Sequence, residues 1–217
     1  MRFDCATELD AGIEAAVSAL RDGALVVLPT DTVYGIAADA FDPTAVARLL
    51  EAKGRGRDMP PPVLIAEPAT LDALVAERPP TWLQAMLEDL WPGPLTVVFR
   101  AQPSLTWDLG ETHGTVAVRV PDDDRTRAVL RKAGPSAVSS ANLSGQPAAA
   151  SADEAESMLA DSVRVYLDGG PTAGATPSTI LDVTGAVPRV LRAGAIDVAT
   201  LHRYNNTIEP AGGGAGA

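Results

Sequence analysis

ALVVLPTDTVYG, residues 24–35, sets five apolar residues directly before a proline and a polar loop. An apolar run this short, stopped by Pro29, predicts a strand buried on both faces rather than a helix. Such a strand needs helices to cover it, and the flanking sequence supplies them. Upstream, Leu9 to Arg21 carries Ile13, Val17 and Leu20 on one helical face, and Gly23 ends it. Downstream, Asp42-Pro43 pairs a capping acid with a first-turn proline, so a helix should run from there toward Gly54 and bury Val46, Leu49 and Leu50.

The alternation continues along the chain. Strands are predicted at Val63–Ala66, Leu95–Arg100, Thr115–Val120, Ser136–Ser139, Val163–Leu167, Thr179–Val183 and Arg189–Arg192. Helices are predicted at Pro68–Leu74, Thr81–Leu90, Asp122–Arg131, Ala152–Leu159 and Ile196–Arg203. Gly110–Gly114 reads as a hairpin loop, which makes the sheet mixed. No internal repeat or long linker breaks this order. The expectation is one α/β domain over residues 1–204, a twisted mixed sheet flanked by helices, with a disordered Gly/Ala-rich tail over 205–217.

The chain has 217 residues, 46% apolar and 21% charged, the balance of an ordinary globular domain. No apolar run reaches the ~20 residues of a membrane helix, and the start has no signal-peptide pattern. A lone cysteine, Cys5, excludes an internal disulfide, and the expected location is the cytoplasm. With two histidines, His113 and His202, the ligands for an ordinary zinc site are missing, and no metal site is expected. A net charge of −11 argues against a protein that holds nucleic acid mainly through phosphates, so strong direct nucleic-acid binding is not expected. A local basic cluster can still hold a small anion.

Four polar segments could carry chemistry. The loop Pro29–Gly35 leaves a strand's carboxyl end, where open α/β sheets commonly bind ligands. Taken alone, it is equally a turn whose Thr and Asp bond their own backbone. Lys53-Gly54-Arg55-Gly56-Arg57 puts three cations on a glycine-spaced turn suited to a polyphosphate, stiffened afterwards by Pro60-Pro61-Pro62. It could also be a solvated basic helix end. Ser139–Gly145 offers small hydroxyl residues and a glycine to an anion or a sugar, without the ending of a Walker loop. Pro177-Ser178-Thr179 and Arg192-Ala193-Gly194 bracket the last strand pair. Asp122-Asp123-Asp124 is the start of a helix rather than a metal cluster.

Together these pieces resemble the YrdC family of threonylcarbamoyl-AMP synthases in its short, single-domain form. The matching stretches are PTDTVYG at 29–35, KGR at 53–55, WPGPLT at 91–96, VAVRVP at 116–121, SSAN at 139–142, PST at 177–179 and RAG at 192–194, in the family's order. The resemblance implies a reaction in which ATP, L-threonine and bicarbonate give threonylcarbamoyl-AMP and pyrophosphate. The product would serve N6-threonylcarbamoyladenosine formation at position 37 of tRNAs reading codons that start with A, through a downstream tRNA threonylcarbamoyl transferase complex. ATP is then a substrate, with Mg2+ bound through its phosphates. A non-catalytic RNA- or tRNA-binding module of the same fold is the alternative.

The resemblance also implies site residues. Lys53 and Arg55 would act on the triphosphate. The nucleotide would meet Arg55, Met59, Thr115, Ser140, Asn142, Ala148 and Arg192. Threonine would meet Thr32, Tyr34, Leu64, Arg119, Val138 and Ser178. Met59 and Leu64 stand where many relatives carry Asn and His.

Overall fold

The computed structural model describes residues 1–172 and 176–212. Among these residues ten strands form one sheet. They are β1 (Arg2–Asp4), β2 (Val26–Leu28), β3 (Gly35–Asp39), β4 (Val63–Leu64), β5 (Leu95–Arg100), β6 (Thr115–Arg119), β7 (Ser136–Ser140), β8 (Val165–Asp168), β9 (Thr179–Asp182) and β10 (Arg189–Arg192). Their order across the sheet is β1-β8-β2-β3-β7-β4-β6-β5-β9-β10. Parallel and antiparallel pairs alternate irregularly, so the sheet is mixed, as expected.

The helices are α1 (Leu9–Arg21), α2 (Pro43–Ala52), α3 (Thr81–Leu90), α4 (Asp124–Ala133), α5 (Ala152–Leu159) and α6 (Val198–His202). Around β2, β3 and β8 both sheet faces are covered. Ile13 and Val17 of α1 join Val129 of α4 on one side, and Leu49 of α2 joins Ala155 of α5 on the other. Across β4, β5, β6 and β9 only one face is covered. There Met86 and Leu87 of α3 pack on Val63, Val97, Val118 and Leu181. Because side chains alternate along a strand, the neighbours of those core residues point to the opposite, open face. That face forms the floor of the candidate site.

Asp42 caps α2 as predicted, and two further helices are capped by residues that the sequence reading does not name. Asp42 accepts the N–H groups of Thr44 (2.8 Å) and Ala45 (3.2 Å) ahead of Pro43. Ser151 caps α5 through Glu154 N–H at 3.2 Å. α4 starts at Asp124, two residues later than the acidic run suggests, because Asp123 turns its Oδ1 to Thr126 N–H (3.0 Å).

Several expectations need correcting. Residues 68–73 form a 3-10 turn rather than an α-helix. Two strands escaped the sequence reading. β1 is a three-residue edge strand. β3 is built from Gly, Ile, Ala, Ala and Asp, a poor strand composition that burial on both faces overrides. As β3 runs antiparallel to β2, the loop at 29–34 turns the chain straight back into the sheet instead of leading to a helix. The connection from β5 to β6 occupies all of 101–114, not a hairpin turn at 110–114. It folds inward, burying Leu109 and stacking Trp107 on Phe41 with ring centroids 5.5 Å apart.

The stretch from Asn205 is also more ordered than its composition suggests. Ile208 is 2% exposed in the core, and Glu209 bonds Pro188 and Val190 beside the β10 edge. The rest of the predicted tail, 213–217, lies outside the described residues. Among the described residues no helix is long and apolar enough to cross a membrane.

Candidate active site

The open face of β4, β5, β6 and β9 forms the floor of a cleft of about 480 Å³, large enough for a small ligand. Thr96 and Val98 of β5, Thr115, Ala117 and Arg119 of β6, and Ile180 of β9 line it at every second position. Loops at the strand ends make its walls. Among its described lining residues the charged side chains are Arg55, Arg119 and Arg192, and no carboxylate or imidazole joins them. In a chain of net charge −11 this is a local reversal of sign, and it suits an anionic ligand.

Each arginine is aimed by its backbone. Arg119 ends β6 and is 6% exposed. It donates Nε–H to Gly93 O (3.0 Å), Nη1–H to Thr32 Oγ1 (3.0 Å) and Nη2–H to Asp31 Oδ1 (2.5 Å). Burial weakens its hold on the proton, and Asp31 works against that. Asp31 Oδ1 also accepts Asp122 N–H at 3.0 Å, while its Oδ2 is buried with no partner among the described residues. Arg192 donates Nε–H and Nη2–H to Ser178 O (3.1 and 2.8 Å) and Nη2–H to Ser178 Oγ (3.0 Å). Burial lowers its pKa, and the fields of Arg119 and Arg55 add to the effect.

Arg55 depends on how α2 ends. Lys53 closes the helix, Gly54 takes φ +61°, and the N–H groups of Gly54 and Arg55 return to Glu51 O and Leu50 O, both at 2.9 Å. This is a Schellman ending, and it requires a residue that accepts a left-handed backbone. It sends the two neighbouring cations opposite ways. Arg55 enters the cleft, with Nη1–H donated to Ser139 Oγ at 3.3 Å. Lys53 turns inward, 1% exposed, and lines no part of the cleft. Arg57 is bound to Asp108 at 2.8 Å and lies outside it.

The structure gathers most of the expected site residues. Thr32, Tyr34, Leu64, Val138 and Ser178 line the cleft with Arg119, and Thr115, Ser140, Asn142 and Ala148 line it with Arg55 and Arg192. Met59 does not line it. Its side chain points to solvent, 42% exposed, and Pro60, Pro61 and Pro62 border the cleft instead. Some polar ends are turned away. Tyr34 donates O–H to Gly170 O (2.6 Å) and accepts Gly169 N–H (3.0 Å), and burial pushes its pKa up to about 12. Asn142 donates both Nδ2 hydrogens to its own loop, at Leu143 O and Gln146 O, each 2.8 Å. Ser178 shares a hydroxyl contact with Thr96 at 2.8 Å.

Sequence reasoning missed Asp31 as the partner of Arg119, although it stood inside the quoted motif. Leu109 and Thr112 were missed because nothing local marks where an irregular connection folds. Leu191 was missed because it owes its place at the cleft to an irregularity in the β9–β10 register.

Gly194 explains the last motif. A Cβ there would overlap Pro177 O and the Ser178–Thr179 peptide, the backbone that Arg192 grips. Gly194→Ala should therefore cost about 1–3 kcal/mol in urea unfolding and loosen Ser178 and Arg192 together. Unchanged stability and unchanged kinetics would disprove this close-packing role.

The family model Sua5_yciO_yrdC, described as "Telomere recombination", matches residues 18–194. A Mycobacterium leprae protein provisionally named a threonylcarbamoyl-AMP synthase is 52% identical over 92% of this chain and 91% of its own length. The threonylcarbamoyl-AMP synthase of Bacillus subtilis is 36% identical over 86% of this chain and 54% of its own. The crystal structure of P. abyssi Sua5 complexed with L-threonine superposes with a TM-score of 0.90 at 32% identity. It covers 97% of this chain, which spans 62% of that one.

Proposed function

The chain belongs to the Sua5_yciO_yrdC family, and from that premise we infer that it is a threonylcarbamoyl-AMP synthase. The observation that carries the reading is the trio Arg55, Arg119 and Arg192 around one cleft with no lining carboxylate or imidazole among the described residues. We propose that ATP, L-threonine and bicarbonate react there to give threonylcarbamoyl-AMP and pyrophosphate. The threonine amine and bicarbonate form a carbamate with loss of water. A carbamate oxygen then attacks the α-phosphorus, and pyrophosphate leaves. Both partners are anions, so charge repulsion is the main barrier. Guanidinium groups held in place lower it as charge builds on the departing phosphates. Positioning does the rest.

The residues divide the cleft. Leu64 is the cross-strand neighbour of Arg119, and Val138 packs beside Gly35 at the mouth of the 29–34 loop. We assign Thr32, Arg119, Leu64, Val138 and Ser178 to threonine: Arg119 for the carboxylate, and Leu64 and Val138 for an apolar wall against the methyl. Arg55, Thr115, Ser140, Asn142, Ala148 and Arg192 are assigned to the nucleotide. Mg2+ is proposed to enter with ATP on its phosphates, since guanidinium lining does not fit a resident cation. The product is proposed to pass in the cytoplasm to a transferase that modifies tRNA.

Purified protein should release pyrophosphate from ATP only with threonine and bicarbonate both present. Serine should be poorer by roughly 10- to 200-fold in kcat/KM, the discrimination that one methyl allows. Equal turnover without any amino acid would identify a plain nucleotide hydrolase.

A further inference from the structure

One buried charge has no place in the division above. Lys53 Nζ donates to Ser140 O, to Asn142 O at 2.6 Å, and faces Asn142 Oδ1 at 3.5 Å. Its own carbonyl accepts Ser144 N–H at 2.8 Å. A single residue at the end of α2 thus binds residues 140, 142 and 144 of the loop after β7. An ammonium has three N–H groups, and all three are directed at this loop. The side chain is 1% exposed and lines no part of the cleft. A phosphate could reach it only by displacing the carbonyls that replace its water.

We propose that Lys53 is a positioning residue. Its charge holds the 139–146 loop in the shape that presents Ser140 to the nucleotide, and it acts on the reaction through that loop rather than by touching phosphate. This rests on the synthase reading for its effect on ATP, but not for its effect on the loop.

The charged group facing Lys53 is Arg55, which repels it. The 139–146 loop offers it only carbonyl and amide oxygens. Burial, with a smaller push from Arg55, lowers its pKa from 10.5 to about 8. Above that pH the amine has one hydrogen fewer for the loop, and ATP use should fall. Stability moves the other way. The unfolded chain binds more protons between pH 8 and 10.5, so the cost of burying the charge, full below pH 8, is relieved as pH rises. A residue with only a structural role would not separate the two.

Lys53 and Lys132 are the only lysines, so ammonium NMR can read Lys53 directly once Lys132→Arg removes the other signal. The Lys53 signal should correlate with the carbonyls of Ser140 and Asn142, both free and with saturating MgATP. Loss of those correlations and a coupling to phosphorus on adding MgATP would overturn the proposal. Lys53→Met should raise the KM for ATP at least tenfold, leave that for threonine within about threefold, and speed amide exchange in 139–146 at least tenfold. Lost ATP use with unchanged exchange would also overturn it. If Lys53→Met does not fold, the spectra decide. If MgATP moves no cleft signal at all, the synthase reading falls, while the spectrum of the free protein still tests the lysine.

Discussion

Arg119→Ala is expected to raise the apparent KM for threonine by roughly 30-fold to several thousand-fold, while the KM for ATP stays within about threefold. Truncating a buried, charge-assisted partner costs on the order of 2–5 kcal/mol, and each 1.4 kcal/mol is a factor of ten. The motive is the donor count. A guanidinium has five N–H groups, and Gly93, Thr32 and Asp31 take one from each nitrogen. One remains on each terminal nitrogen, and we expect this pair to meet a carboxylate as a fork. Arg119→Lys should rescue little, because an ammonium cannot form that fork. Stability must be followed alongside, since the substitution strands the Asp31 carboxylate, whose pair with Arg119 is nearly buried. Steady-state kinetics with each substrate varied in turn give the answer. A rise in the KM for ATP alone would mean that the cleft is divided the other way.

Arg55→Ala should do the reverse. It is expected to lower kcat/KM for ATP by roughly 30-fold or more and to leave the KM for threonine nearly unchanged. Among the described residues the Arg55 side chain has a single weak hydrogen bond, with Ser139, and its buried Nε has no partner. It therefore spends little on the fold and keeps its charge available to a ligand. Its loss should barely alter the unfolding midpoint, in contrast to Arg119. If the variant melts early and turns over ATP normally, Arg55 is a structural residue.

Most of the frame was legible because it is periodic. Thr81–Leu90, Leu95–Arg100 and Ala152–Leu159 have the predicted bounds, each with apolar residues at helical or alternating spacing. The central strand β3 was not legible. Its alanines carry no strand signal, and only packing between two helix layers makes them a strand. The loops that carry the site could be found from their polarity and glycines, but the direction of their side chains could not. Lys53 and Arg55 look equivalent on paper. One φ-positive glycine between them decides which faces the ligand and which faces the protein. Tyr34 and Asn142 show the same limit, since each spends its polar atoms on a distant or local carbonyl that no spacing rule reveals.

The pairing of β5 with β9 has a consequence for biogenesis. β5 and β6 leave the ribosome long before β9 and β10, yet β9 lies beside β5, and β9 with β10 brings Ser178 and Arg192 to the cleft. A nascent chain therefore already carries Arg55 and Arg119 while it still lacks the far wall. The cleft is complete only with β9 and β10 in place beside β5, so a chain released before Arg192 would lack one wall of it.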